Sequence, residues 1–289
     1  MEWKTKITDL LGCKYPILQG AVERLGVWPL AAAVAEAGAH GTITASISKT
    51  PEQLQEDIRK CKAAGSGTFG VNLSIGICPR IDEMLEVCIA ERVPVETALY
   101  KPDALAKRIK ESGLPWIHKS ARVKDAVHAQ ALGADAIILV GLEGGGFKNP
   151  AQLPTLTTIR HGCRTLSVPV IAAGGIGDGH GFLGALALGA EGVMMASAFL
   201  TTKESIAGLK HKEAMLQLQL DDPEFRNRVM TPRIFDPKAP RQEASEINWA
   251  NAVSFATAGV GQVLSVKELI EQITSEAEAT LKGWRFLKK

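Results

Sequence analysis

The chain has no long apolar run, no Cys-x-x-Cys pair and no basic stripe, and each absence removes a class of function. No segment approaches a membrane span. The charged start Met1-Glu2-Trp3-Lys4-Thr5-Lys6 is not followed by an apolar stretch long enough for a secretory signal, which points to the cytoplasm. Its 5 cysteines, Cys13, Cys61, Cys78, Cys88 and Cys163, are odd in number and irregularly spaced. That argues against a disulfide framework or a zinc site and for packed thiols. His40, His128, His161 and His211 fall in helical or turn contexts without metal-ligand spacing. With 33 Lys and Arg against 31 Asp and Glu, the net charge is only +2, so neither nucleic acid nor another acidic polymer is an expected partner.

What is present is an alternation. At 289 residues, 46% hydrophobic and 22% charged, the composition is that of a soluble α/β protein with a full core. Short apolar runs at 15–19, 41–45, 69–73, 93–99, 115–118, 136–140, 168–172 and 192–195 are separated by amphipathic or Ala-rich stretches of helical length. Thr50-Pro51 starts one helix as cap and first residue, and Gly38 and Gly133 end two others. Eight strands alternating with helices predict parallel pairing by right-handed crossovers and a closed (β/α)8 TIM barrel of roughly 250 residues. From Lys203 the pattern becomes charged and Pro-punctuated, before a last helix from Ser265 to about Lys282. The expected organisation is therefore a barrel over 1–202 and a helical C-terminal appendage over 203–289. A doubly wound sheet competes, but Gln19-Gly20-Ala21-Val22-Glu23-Arg24 after the first strand lacks the dinucleotide glycine spacing.

A barrel places its active site at the carboxyl ends of the strands, which here are Gln19, Ala45, Asn72, Lys119, Glu143, Gly174 and Ala196. Two of the following loops are rich in glycine: Gly141-Leu142-Glu143-Gly144-Gly145-Gly146 and Gly174-Gly175-Ile176-Gly177. A turn without Cβ atoms lets backbone N–H groups close on a phosphate at the start of the next helix. In such barrels the phosphate commonly lies on the loops after strands seven and eight, here Gly174-Gly175 and Ala196-Ser197.

These pieces resemble a known family. Pro16-Ile17-Leu18-Gln19-Gly20, Phe69-Gly70-Val71-Asn72-Leu73, Gly133-Ala134-Asp135-Ala136, the Gly141–Gly146 loop, 169–176 and 186–195 follow the order and spacing of the flavin-dependent barrels. These include nitronate monooxygenases, formerly 2-nitropropane dioxygenases, and the flavin-dependent type of enoyl-acyl-carrier-protein reductase. The resemblance runs from Tyr15 to about Ser205. It implies FMN as cofactor, with Gln19, Gly20, Asn72 and Gly145 near the ring or ribityl chain and Gly174, Gly175, Ala196 and Ser197 at the phosphate. The family's usual Gly-Thr is Ala196-Ser197 here, which keeps the backbone donors and a hydroxyl.

Two departures bear on chemistry. Nitronate monooxygenases carry a histidine after the Gly-Gly of the sixth loop, and the matching residue is Phe147, which cannot take a proton. On the fifth strand, Ile117-His118-Lys119-Ser120 presents two titratable groups where these relatives tend to have neutral ones. Strand alternation sends His118 and Lys119 to opposite faces. Lys119, nearer the tip, is the first candidate to hold negative charge on reduced flavin, to bind a substrate carboxylate or thioester oxygen, or to act as general acid. The alternative is an ion pair at the mouth with Glu143, whose own carboxylate is also suited to ordering its loop. Glu23 and Arg24 read as surface charges, His180 as exposed near the phosphate loop, and Cys78 as a thiol without a base partner.

Three functions follow. The first is an FMN oxidoreductase of the nitronate monooxygenase type, oxidising a nitronate or other carbon acid with dioxygen. The second takes hydride from NAD(P)H, as a co-substrate, to a quinone or an α,β-unsaturated thioester. The third is a non-redox barrel, an isomerase or lyase, binding a phosphate-bearing ligand. A small-molecule substrate is expected in each. Met215, Leu216, Leu218 and Trp249 supply apolar positions with which the appendage covers the barrel mouth or meets a second subunit, and the stretch from Lys203 to Ala250 is expected to form one wall of the substrate pocket.

Overall fold

The computed structural model describes residues 2–23, 25–65, 67–146, 148–231 and 253–284. Eight strands form: β1 Ile17–Gln19, β2 Gly41–Thr44, β3 Phe69–Ser74, β4 Val95–Ala98, β5 Trp116–Ser120, β6 Ala136–Val140, β7 Val170–Ala173 and β8 Gly192–Met195. Each pairs in parallel with its neighbour from β2 through β8, and β8 pairs with β1. The seam between β1 and β2 is closed by a parallel bridge from Leu18 to His40, with the Gln19 N–H donating to His40 O at 2.8 Å and the His40 N–H to Ile17 O at 2.9 Å. The eight-stranded TIM barrel predicted from the alternation is the fold.

Helices α2 Trp28–Glu36, α3 Pro51–Ala64, α4 Ile81–Ala90, α5 Asp103–Ser112, α6 Val123–Ala131, α7 Thr155–Thr165 and α8 Gly179–Ala187 follow strands one to seven. Local chemistry sets their starts: the Thr50 side chain accepts from the Gln53 N–H ahead of Pro51, and Asp178 accepts from the Gly181 N–H ahead of α8. A short α1, Lys6–Leu11, precedes the barrel with a capping box made by Thr5 and Thr8.

After β8 comes only a four-residue α9, Ser197–Leu200, and the chain leaves the barrel for α10 Leu209–Leu216 and α11 Pro223–Met230. It returns as α12, Val266–Lys282, which packs against α8 and α2 and so takes the place of the eighth outer helix. The apolar stripe Val266, Leu269, Ile270, Ile273 and Ala277 is buried. Each such aliphatic side chain contributes about 1.5–3 kcal/mol on burial. Met215, Phe225 and Val229 of the excursion form a separate small core with Leu25 beyond β1, Leu200 of α9 and Val253, so it sits on the barrel end that carries the β1 and β8 loops. Leu218 packs on that cluster and Leu216 on the main core. Trp249 and the part of the expected pocket wall from 232 to 250 lie outside the described residues.

Alternation along each strand divides two cores. Ile17, Ile43, Val71, Leu73, Val95, Trp116, Ile137, Leu139, Val170 and Val193 face the helices. Leu18, Ile117, Ala136, Ile138, Ile171, Ala173 and Met194 fill the barrel interior, with Ile7 and Leu11 of α1 closing one end. Residues two apart share a face, so Asn72, Ser74, Glu96 and Lys119 also point inward. Among the described residues no helix is long and apolar enough to cross a membrane.

Candidate active site

The inward positions of β3, β4 and β5 hold a polar cluster. Register sets Asn72 opposite Glu96, Glu96 opposite Ile117, and Ser74 opposite Ala98 and then Lys119. The Asn72 Nδ2 donates to Glu96 Oε1 at 2.8 Å, and the Ser74 hydroxyl donates to Asn72 Oδ1 at 2.7 Å. Burial pushes the Glu96 carboxyl up to about 7, while the nearby Lys119 charge and the Asn72 hydrogen bond favour its ionised form. Near neutral pH such a carboxyl gives and takes a proton with equal ease.

Sequence reading missed Glu96. The signal was there: in Val95-Glu96-Thr97-Ala98, the outward positions are Val95 and Thr97, so a charged residue occupies an inward position of a buried parallel strand. The charged group near Lys119 is accordingly Glu96 rather than the expected Glu143. Glu143 Oε2 instead accepts from the Thr155 N–H at 2.8 Å and the Thr155 hydroxyl at 2.7 Å, capping the start of α7.

His118 lies on the other face of β5, as alternation requires. Its Nδ1 is 2.8 Å from the Thr97 hydroxyl, which also accepts from Trp116 Nε1 at 2.9 Å. Burial lowers its pKa to about 4, so it is a neutral packing group between strands and helices. Gln19 is likewise committed: Nε2 donates to Thr42 O at 3.0 Å and Oε1 accepts from the Thr42 N–H at 3.3 Å, which adds a rung to the β1–β2 seam. His40, which the sequence placed in a turn, is fully buried against that seam, and burial lowers its pKa to about 4.

The opposite side of the mouth is built from backbone. Gly174 (φ 106°) and Gly175 (φ 75°) both adopt conformations that L side chains rarely reach, and a Cβ on Gly175 would stand 2.9 Å from that of Glu143. Thr155 lies between the β6 and β7 loops, its one hydroxyl proton within reach of Gly174 O at 3.0 Å as well as of Glu143 Oε2. Among the described residues nothing accepts from the N–H groups of Gly175, Ile176 and Ser197. The Ser197 hydroxyl accepts from the Ser254 N–H at 2.8 Å and the Ser254 hydroxyl at 3.0 Å, leaving its own proton to donate. Phe255, next along, donates its N–H to Glu143 O at 3.3 Å, so the returning chain ties the β6 and β8 loops together. Free N–H groups, glycine that admits close approach and one hydroxyl donor fit a phosphate. Gly20 packs beside Ala196, where a Cβ would meet the alanine Cβ at 2.9 Å, and Gly145 is exposed on the β6 loop.

Other candidates are spent on structure. His180 Nδ1 pairs with Glu276 of α12 at 2.7 Å, and the same carboxylate takes the Gly179 N–H. With Asp178 these ligand atoms lie within 4.8 Å of one another, but each serves the start of α8. Glu23 accepts from the Ser46 hydroxyl at 2.6 Å. Burial raises the Cys78 thiol to about 12, which removes it as a nucleophile. Phe147 and Arg24 lie outside the described residues.

Comparison with known proteins accounts for this layout. The family model for nitronate monooxygenase matches residues 4–84 and 75–234. The chain belongs to the nitronate monooxygenase family. Membership makes it kin to oxidoreductases. A Mycobacterium tuberculosis (strain ATCC 25618 / H37Rv) protein described as (3aS,4S,5R,7aS)-5-hydroxy-7a-methyl-1-oxo-octahydro-1H-indene-4-carboxyl-CoA dehydrogenase is 36% identical over 231 residues, 79% of this chain and 64% of that protein. This chain thus spans less than two thirds of that relative's length. A probable nitronate monooxygenase of Staphylococcus aureus (strain MSSA476) is 30% identical over 263 residues, 76% of this chain and 74% of that one. Among solved structures, a point mutant of FabK from Thermotoga maritima superposes with a TM-score of 0.84 at 30% identity, covering 97% of this chain and 98% of that one. The nitroalkane oxidase of Streptomyces ansochromogenes shares the fold, with a TM-score of 0.78 at 23% identity over 96% of this chain and 99% of that one.

Proposed function

We propose that this chain is an FMN-dependent oxidoreductase acting on an acyl thioester, with NAD(P)H or its oxidised form as the second substrate. The observation that carries the reading is the inward cluster of Lys119, Glu96 and Asn72 beside backbone loops suited to a phosphate. FMN would be held at its phosphate by Gly174, Gly175, Ala196 and Ser197 and would supply a centre for two-electron transfer. The protein's part is then to hold the substrate and manage a proton. Lys119 donates a hydrogen bond to the thioester carbonyl oxygen and stabilises negative charge as it builds there. Glu96, its carboxyl close to neutrality, delivers or removes the proton at the adjoining carbon or hydroxyl, and Asn72 fixes its orientation. The CoA relative named above works on this class of compound, which supports the assignment.

Oxidation of a nitronate with dioxygen is the second reading, favoured by the family model. Phe147 in place of the family's histidine speaks against it, since Lys119 would have to take over the contact with the nitro group. An anaerobic visible spectrum separates the two. A yellow protein that bleaches with NADPH or NADH and recovers with an enoyl or 3-oxoacyl thioester supports the thioester reading. Bleaching by an alkyl nitronate and not by a nicotinamide overturns it. A colourless protein that cannot be reconstituted with FMN sinks both.

A further inference from the structure

Below the polar cluster the barrel interior contains a small cavity of about 10 Å³, bordered by Leu18, His40, Thr42, Gly70, Glu96 and Ile117. That is room for about one water molecule, and three polar residues, Glu96, His40 and Thr42, surround it. Gly70 creates the gap: a Cβ there would stand 3.1 Å from His40 Nε2 and 2.8 Å from Pro94 O. On its far side the imidazole continues outward, with Nδ1 3.2 Å from the hydroxyl of Thr68, a half-exposed residue just ahead of β3. A single water in this gap would join the acid at the centre of the cluster, through the imidazole, to solvent at the end of the barrel opposite the strands' carboxyl ends.

We propose that Glu96 exchanges its proton with solvent through this rear path, by way of a cavity water, His40 and Thr68. In the Nδ1–H tautomer, His40 presents the Nε2 lone pair to the cavity. The carboxyl proton passes to the water as the water gives another of its protons to Nε2. The Nδ1 proton leaves to the Thr68 hydroxyl, which releases its own to solvent. The carboxylate is left ionised near Lys119 and the imidazole is left as its Nε2–H tautomer, and from that tautomer the reverse sequence reloads the acid. A neutral imidazole is the state this needs, and burial keeps His40 neutral above about pH 4. The groups facing Glu96 are Asn72 and Ser74 from β3, Lys119 from β5, and His40 and Thr42 at β2; Leu18 and Ile117 complete the wall without charge. Such a path lets the acid be recharged while a bound substrate closes the front of the barrel. It does not depend on which substrate that is.

The test reads the carboxyl itself, on the purified chain with its cofactor content held constant. Isotope-edited infrared spectroscopy with ¹³C-glutamate would identify the protonated Glu96 band by its loss in Glu96→Gln. Rapid mixing into D₂O then gives its exchange rate. His40→Gln and Thr68→Val should each slow that exchange, by about 100-fold for His40→Gln if the imidazole is a positioned proton carrier, with the titration midpoint of Glu96 little changed. Thr68→Val replaces a half-exposed side chain by one of equal shape, so it reports even where the core substitution at His40 is not tolerated. Exchange as fast as wild type in Thr68→Val, or in folded His40→Gln, overturns the proposal and assigns the proton traffic to the mouth.

Discussion

The two halves of the barrel interior are made of different material. On β2 to β5 the inward positions include Thr42, Asn72, Ser74, Glu96 and Lys119 beside the apolar Ala98 and Ile117; on β6 to β8 and β1 they are all apolar, Ala136, Ile138, Val140, Ile171, Ala173, Met194 and Leu18 among them. The loops invert this contrast. Those after β6, β7 and β8 carry glycine, serine and open N–H groups, and sit above the apolar half. The difference separates two tasks. Under the proposed function, a phosphate would be held by backbone above an apolar wall, while proton transfer would fall to side chains whose pKa values low-polarity neighbours can move.

Crossing the halves should have the largest effect where a side chain does the chemistry. Lys119→Met keeps the length of the side chain and removes the charge; Glu96→Gln keeps the Asn72 contact and removes the proton. Each should lower kcat by about 10²–10⁴-fold, the usual contribution of one general acid or base. The spectrum and amount of bound flavin should stay near wild type. Gly175→Val is the mirror experiment: it places a branched side chain at φ 75°, 2.9 Å from Glu143 Cβ, and should release the cofactor. If Lys119→Met empties the protein of flavin while Gly175→Val leaves it loaded, the assignment of the halves is inverted.

The polar half should also make stability depend on pH. Glu96 sits near 7 in the folded chain against an ordinary value of 4.5, so the folded state binds its proton more tightly than the unfolded state. The stability contributed by that proton is fully present below about pH 4.5 and is lost as pH rises to about 7. The loss is at most about 3 kcal/mol. Urea unfolding across this range should show a decline in wild type that is absent in Glu96→Gln. An equal decline in the variant would place the titration elsewhere.

Sequence periodicity was enough for the whole strand set. Each of the eight apolar runs became a strand within two residues at each end, because a strand buried on both faces has few polar positions to blur the pattern. It also located the glycine-rich turns that follow β6 and β7. The polar cluster was half legible. Asn72 and Lys119 stand near strand tips, where a barrel invites attention, but Glu96, level with Asn72 across the β3–β4 pair, was passed over. Gln19, His118 and Glu143 have the residue types of a site and the positions of one, yet each is consumed by Thr42, Thr97 or Thr155. Only the register between strands and the order of the loops decide that, and neither is local in sequence. The return of Ser254 to Ser197, 57 residues away, belongs to the same class.

The smallest effect tests the contrast within a single strand. His118 and Lys119 are neighbours in sequence and differ only in the face they occupy. His118→Leu should leave kcat nearly unchanged, in opposition to Lys119→Met. It removes the partner of the Thr97 hydroxyl, but that hydroxyl still accepts from Trp116 Nε1, so the expected destabilisation is about 1–2 kcal/mol. Trp116 is the built-in reporter, since its indole N–H shares the Thr97 oxygen; its fluorescence should shift in His118→Leu and stay put in Lys119→Met. A large loss of kcat in folded His118→Leu would mean that the outer face of β5 takes part in the chemistry, and the division between a catalytic interior and a structural shell would have to be redrawn at this strand.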